Sequence, residues 1–207
     1  KNNNYNDFVI LPKGLQPRAA LGYSFSLMML LLNKIGIVNN NIINDLNNSI
    51  NSLLTLREKY SDLDNKENLA YLISNKIYNK IPIIYAEEGI YNTIAYRIKC
   101  QLEENSKIIA FNNALPEMNH NEIEAFTKNN KIFKNFILIW IKDELCHVRN
   151  NDRTLITSKI LKQAVNEQIT LNISFSTDNN IIGHYLKYIY LGDWISYYCA
   201  LLNKVDP

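Results

Sequence analysis

Three short stretches of the chain hold residue types that could carry chemistry. In Gln16-Pro17-Arg18-Ala19-Ala20-Leu21-Gly22-Tyr23 an arginine stands at the first turn of an apolar helix, just after a proline. Helix starts gather anions through free N–H groups, and a guanidinium adds a planar donor fork suited to a phosphate or an enediolate. In Gln101-Leu102-Glu103-Glu104-Asn105-Ser106-Lys107 a carboxylate ends a helix and leads into a strand. The dipole makes that end unfavourable for an anion, and the edge of a parallel sheet is where open α/β folds bind ligands. In Leu115-Pro116-Glu117-Met118-Asn119-His120-Asn121-Glu122-Ile123-Glu124 polar groups crowd a helix start around His120. A histidine is the side chain that titrates near neutrality, at about 6.5. Each stretch has a plainer reading: a surface arginine paired with a carboxylate, a solvated helix-end glutamate, and a capping segment with a bystander histidine.

The elements that must position these residues follow from hydrophobic period and punctuation. Phe8 to Leu11 reads as a short strand ending at Pro12. Pro17 opens a helix; from Arg18 to Lys34 its apolar surface is wide enough for deep burial, and Gly36 stops it. Helices are predicted over Asn39 to Tyr60 and Glu67 to Asn79. After Pro82 the pattern changes. Ile83 to Tyr85 is a continuous apolar run, as in a strand buried on both faces. Helix Gly89 to Glu104, strand Lys107 to Phe111, helix Asn121 to Lys128 and strand Phe136 to Ile141 follow. Helix Thr154 to Gln168, strand Thr170 to Phe175 and helix Ile181 to Lys204 complete the order. Strands alternating with helices predict a three-layer α/β/α sandwich around a parallel sheet.

Composition excludes several classes. With 207 residues and 47% hydrophobic content the chain can bury a core, and disorder is excluded for most of its length. A net charge of +2 with interspersed signs leaves no basic footprint for nucleic acid. Cys100, Cys146 and Cys199 are far apart and odd in number, which predicts neither a disulfide framework nor a zinc site and suits a reducing compartment. The apolar run Leu27 to Leu32 is too short for a bilayer, and the Asn-rich start is unlike a signal peptide, so the expectation is a soluble cytoplasmic protein. No Gly-rich nucleotide loop occurs, and His120, Glu117 and Glu124 match no metal-ligand spacing. No role is assigned to His147 or His184. Gly192-Asp193-Trp194-Ile195-Ser196-Tyr197-Tyr198 reads as a core face with Trp194 and Tyr198 at i, i+4.

Taken in order, these segments, with Tyr96-Arg97 and Gly192 to Ser196, resemble the C-terminal region of the bifunctional phosphoglucose/phosphomannose isomerases. That family belongs to the sugar isomerase (SIS) fold group. The resemblance covers residues 1–207 as a single C-terminal SIS-type domain. It implies interconversion of glucose 6-phosphate or mannose 6-phosphate with fructose 6-phosphate through a cis-enediol, without metal or cofactor. It further implies that Glu104 is the base between C2 and C1. His120 would help to open the sugar ring from the other subunit of a homodimer, and Arg18 would stabilise the enediolate. The helices from Pro17 to Lys80 are then expected at the dimer interface. Family members begin with another SIS subdomain, whose Ser/Thr-rich loop holds the phosphate, and end in a tail with a Thr and a Lys. Neither is found here, so an N-terminal SIS half is expected in cis or in trans. A SIS domain that senses a phosphosugar without chemistry, and a purely structural dimerisation domain, are the rival readings.

Overall fold

The computed structural model describes residues 10–128, 130–175 and 179–207. The chain divides into two compact units, one ending at Asn47 and the other running from Asn48 to Pro207. In the first unit a 3-10 turn, Pro17–Ala20, precedes helix α1, Leu21–Lys34. Gly36, at φ +78°, ends it in the left-handed conformation that glycine adopts without penalty. Helix α2, Asn40–Ser61, follows, and the division between the units falls within it. The expectation of deep burial for α1 is corrected. No residue of α1 is buried, and Tyr23, Met28, Leu30 and Leu31 are 48%, 55%, 48% and 51% exposed. An apolar surface shows that a helix has something to cover, not that its own chain covers it.

The second unit is built on four parallel strands in the order β2-β1-β3-β4: β1 Ile81–Glu87, β2 Phe111–Leu115, β3 Phe136–Ile141 and β4 Gln168–Leu171. Alternate residues of the central strands feed two separate cores. Ile84 and Ala86 of β1, with Ile137, Ile139 and Ile141 of β3, face helices α3 (Leu69–Ile77), α4 (Ile90–Ser106) and α7 (Ile181–Asn203). Ile83, Tyr85, Leu138 and Trp140 face the other way, against Met118, Phe126, Phe133, Leu161 and Val165. Burial on both faces is why these strands read as unbroken apolar runs. Crossover β1–α4–β2 lies on the first face and β3–α6–β4 on the second, where α6 is Val148–Leu161. Residues 116–128, with the short helix α5 (Glu122–Ala125), and 130–135 lie over the second face between β2 and β3. Two crossovers leaving in opposite directions along the sheet put their helices on opposite sides, as right-handed connections require.

Several boundaries differ from expectation for identifiable reasons. Phe8 and Val9 lie outside the described residues, and Ile10 and Leu11 are in no strand. The strand expected from Lys107 to Phe111 begins at Phe111 instead. Lys107 takes the left-handed cap of α4 (φ 59°), and the N–H groups of Lys107 and Ile108 both return to the Leu102 carbonyl. Helix α6 starts six residues earlier than expected, at Val148, because His147 Nδ1 accepts the Arg149 N–H as an N-cap. Consequently β4 is Gln168–Leu171, tied in by the Trp140 indole donating to Gln168 Oε1 at 2.8 Å.

Candidate active site

Glu104 stands in the last turn of α4, exposed, and its surroundings explain the Gly192 to Ser196 motif. A Cβ on Gly192 would lie 2.5 Å from Ile98 Cγ1, so only glycine lets α7 close on α4 there. One turn apart along that contact, Asp193 Oδ1 accepts from Gln101 Nε2 at 2.6 Å and from Arg97 Nη2 at 3.2 Å. Burial raises the Asp193 carboxyl above its usual range, with Arg97 and Gln101 opposing. Ser196 then grips the helix exit: its Oγ accepts from Asn105 Nδ2 at 2.9 Å and its carbonyl from Ser106 Oγ at 2.9 Å. Asn203 Nδ2 donates to the Ser106 carbonyl at 2.8 Å. The exit carrying Glu104 is thus bolted to α7 on both sides of the carboxylate's own position, while the carboxylate faces solvent.

His120 follows a 3-10 turn, Glu117–Asn119, beyond the end of β2. The ring is exposed, but the backbone around it is tethered. Met118 is fully buried in the second core. Asn119 Nδ2 donates to Thr157 Oγ1 of α6 at 2.7 Å, and Asn121 Nδ2 to Glu117 Oε1 at 2.9 Å. Glu122 accepts from Tyr85 Oη and from Asn113 Nδ2, each at 2.6 Å. Arg18, half-buried, is in the 3-10 turn of the first unit.

The structure therefore brings together two of the segments singled out by sequence, the α4 exit and the Gly192 to Ser196 stretch. It does not bring Glu104 to His120. Glu104 belongs to the layer on the first face of the sheet and His120 to the segment on the second face, so the strands stand between them within one chain.

Sequence reasoning passes over a buried polar cluster at the carboxyl ends of β1 and β3. Asp143 accepts from Tyr91 Oη (2.6 Å), Tyr188 Oη (2.7 Å) and the Leu145 N–H (2.9 Å), and its Oδ2 lies 2.7 Å from His184 Nε2. Burial alone would raise this carboxyl, but the bonds from His184, Tyr91, Tyr188 and Leu145 prevail and hold it at about 2. Both phenols are pushed well up by burial and by the carboxylate they serve. Nearby, Glu87 Oε1 accepts from the His147 N–H at 3.0 Å and from Asn150 Nδ2 at 2.7 Å, so the protein's own carboxylate sits at the start of α6. Cys146 beside it is pushed up to about 12, by burial first and then by Glu87, which leaves an unreactive thiol. The missed signal is His184 itself: a histidine next to the apolar Ile181, Ile182, Tyr185 and Leu186 at the start of α7 needs a buried partner.

The family model for the bacterial phospho-glucose isomerase C-terminal SIS domain matches residues 66–207. The chain belongs to that family. The bifunctional phosphoglucose/phosphomannose isomerase of Caldicellulosiruptor bescii is 37% identical over 97% of this chain and 58% of its own length. The enzyme of the same name from Aquifex aeolicus is 34% identical over 95% of this chain and 56% of its own. The chain thus spans somewhat more than half of these relatives. Among solved structures, a glucose-6-phosphate isomerase like protein from Thermus thermophilus superposes with a TM-score of 0.61 at 16% identity, covering 86% of this chain and 57% of that one. At that identity the likeness concerns the fold, and it agrees with the three-layer SIS architecture described above. The family's matched region includes the α4 exit, the His120 segment and α7, and lies wholly within the second unit. Among the described residues, no helix is long and apolar enough to cross a membrane, and no group of three or more His, Cys, Asp or Glu side chains could hold a metal ion.

Proposed function

We propose that the chain is the base-carrying part of an aldose–ketose isomerase that interconverts glucose 6-phosphate or mannose 6-phosphate with fructose 6-phosphate. The observation that carries the reading is an exposed carboxylate, Glu104, on a helix exit clamped by α7, in a chain 37% identical to a bifunctional phosphoglucose/phosphomannose isomerase. Glu104 removes the proton from C2 of the open-chain aldose. The C–H electron pair becomes the C1=C2 bond, and O1 takes up a proton. Loss of the O2 proton and return of a proton from Glu104 to C1 give the ketose. Arg18 supplies a fixed cation where the enediolate oxygens gain charge. His120 moves a proton at the ring oxygen when the sugar opens. Ring opening breaks the C1–O5 bond as the ring oxygen gains a proton and the O1 hydroxyl loses one, and the isomerisation steps that follow are proton transfers.

Because Glu104 and His120 lie on opposite faces of one sheet, a working site takes them from two copies of the chain, and the exposed apolar side of α1 is where a second copy packs. The substrate phosphate is held by an N-terminal SIS half. Three free thiols suit the cytoplasm, where the glucose 6-phosphate to fructose 6-phosphate step serves glycolysis and gluconeogenesis.

The test is isomerisation in D2O by the chain joined to the N-terminal half of a relative. Solvent deuterium should enter C1 of fructose 6-phosphate and C2 of the aldoses at a rate tied to turnover. Tight binding of fructose 6-phosphate with neither turnover nor label exchange would instead favour a phosphosugar sensor.

A further inference from the structure

The segment that carries His120 is held to the sheet by one carboxylate, and this connection goes beyond the roles assigned to Glu104, His120 and Arg18. Tyr85 of β1 and Asn113 of β2 are register partners on neighbouring strands, and both donate to Glu122, one to each carboxylate oxygen, at 2.6 Å. Asn113 cannot turn its amide around. Its Oδ1 already accepts the Ala114 N–H at 2.8 Å, so its Nδ2 must face Glu122. Tyr85 is fully buried, its ring tilted against that of Trp140 at 4.7 Å between centroids. Burial and the nearby carboxylate raise its phenol far above the ordinary range, so it remains a donor at any working pH. Two residues before Glu122, exposed His120 stands on the backbone that leads into this anchor.

We infer that Glu122 is a positioning residue for His120: its carboxylate, gripped by Tyr85 and Asn113, fixes where the histidine ring is presented to the substrate. The inference rests on the isomerase reading for what His120 does, but the clamp itself can be tested separately. Charge-assisted bonds of this kind are roughly twice as strong as neutral ones, and a clamp to two strands resists rotation as well as displacement. A capping role alone would need neither the charge nor a donor from each strand, since the start of α5 is already capped by Asn121 Oδ1.

The geometry prescribes its own rescue. Glu122→Gln turns one oxygen into an N–H2 donor that faces either the Asn113 amide donor or the Tyr85 hydroxyl, and in both orientations the two strands lose the charged acceptor they shared. Adding Asn113→Asp restores a donor–acceptor pair, keeps the bond from Ala114, and leaves net charge unchanged. In the complete enzyme, E122Q should lower kcat on ring-closed glucose 6-phosphate by up to about 100-fold, the scale of a small misplacement of a reacting group. It should leave a four-carbon aldose 4-phosphate, which cannot close a ring, within about twofold of wild type. The double variant should recover most of the loss. In the chain itself, amide hydrogen exchange over residues 117–122 should speed up in E122Q and slow again in the double variant. An equal loss on both substrates, or a double variant no better than E122Q, would overturn the inference. Unchanged amide exchange would do so as well. A wild-type complete enzyme that never isomerises glucose 6-phosphate, while the exchange pattern behaves as described, would count against the isomerase reading and leave the clamp standing.

Discussion

Glu104 occupies the negative end of a helix, a position that weakens rather than supports an anion. Replacing it by Gln keeps the shape and removes the proton acceptor. A positioned base is worth about 10²- to 10⁴-fold, so steady-state kinetics on the complete enzyme should show kcat reduced by that factor with fructose 6-phosphate binding retained. Retention of more than about a tenth of the activity takes the role away from Glu104. For His120→Ala, mixtures with Glu104→Gln subunits should regain part of the activity, because one composite site then holds both intact groups. A mixture as inactive as its parents means that the two residues do not share a site across copies. Asp143 gives a prediction of a different kind. Its carboxyl is held at about 2, below its ordinary 3.8, so the stability it contributes is complete above about pH 4 and is lost as pH falls toward 2. The shift corresponds to about 2 kcal/mol. Urea unfolding should show wild type losing that amount between about pH 5 and pH 2, while Asp143→Asn loses less over the same interval. Identical pH dependence in the two proteins would mean that Asp143 is not the group being titrated.

At the level of elements, the contact between α4 and α7 is the most demanding. Gly192→Ala sets a methyl group 2.5 Å from Ile98 Cγ1, an overpacking that should cost about 1–3 kcal/mol in urea or thermal unfolding. Ile98→Ala in the same chain should cost less than the sum of the single changes, since it vacates the space the methyl group needs. Strict additivity would show that the helices separate instead of repacking. The elements also show what sequence can and cannot reveal. Strand β3 is legible at both ends because Phe136 to Ile141 is apolar throughout and both its faces are covered. Strand β2 starts four residues later than its pattern suggests, since Lys107 caps α4 in the left-handed conformation, and it runs on through Asn112 and Asn113, poor strand formers whose amides are held by Asn92 and Glu122. The Gly192 to Ser196 stretch reads as a core face. Its second role, gripping the α4 exit through Asp193 and Ser196, depends on contacts about ninety residues away in sequence, which no local pattern records. The residues of the candidate site are legible because their types and order survive in one dimension. Their separation by the sheet is not.

For the whole molecule, folding and catalysis make different demands. The second unit closes two cores around its sheet from residues within the chain, so the isolated chain should fold and unfold cooperatively. Turnover asks for more. Holding a small sugar through its phosphate can supply roughly 7–11 kcal/mol of a barrier in favourable cases, and that hold is assigned to the N-terminal half. The chain alone should therefore be nearly inactive, with light scattering giving twice the mass of one chain and activity appearing when the N-terminal half is added. Robust activity from the chain alone would mean that it holds the phosphate itself.

The sheet that keeps Glu104 from His120 has a consequence for counting. If one chain reaches across to its twin through a closed twofold arrangement, the operation that carries the first His120 to the second Glu104 also carries the second to the first. Working centres then come only in pairs, and a single crossing contact is geometrically excluded. Titration with an unreactive enediolate mimic should saturate at one molecule per chain, and specific activity should fall on dilution below the dissociation constant of the pair, in step with the loss of paired mass.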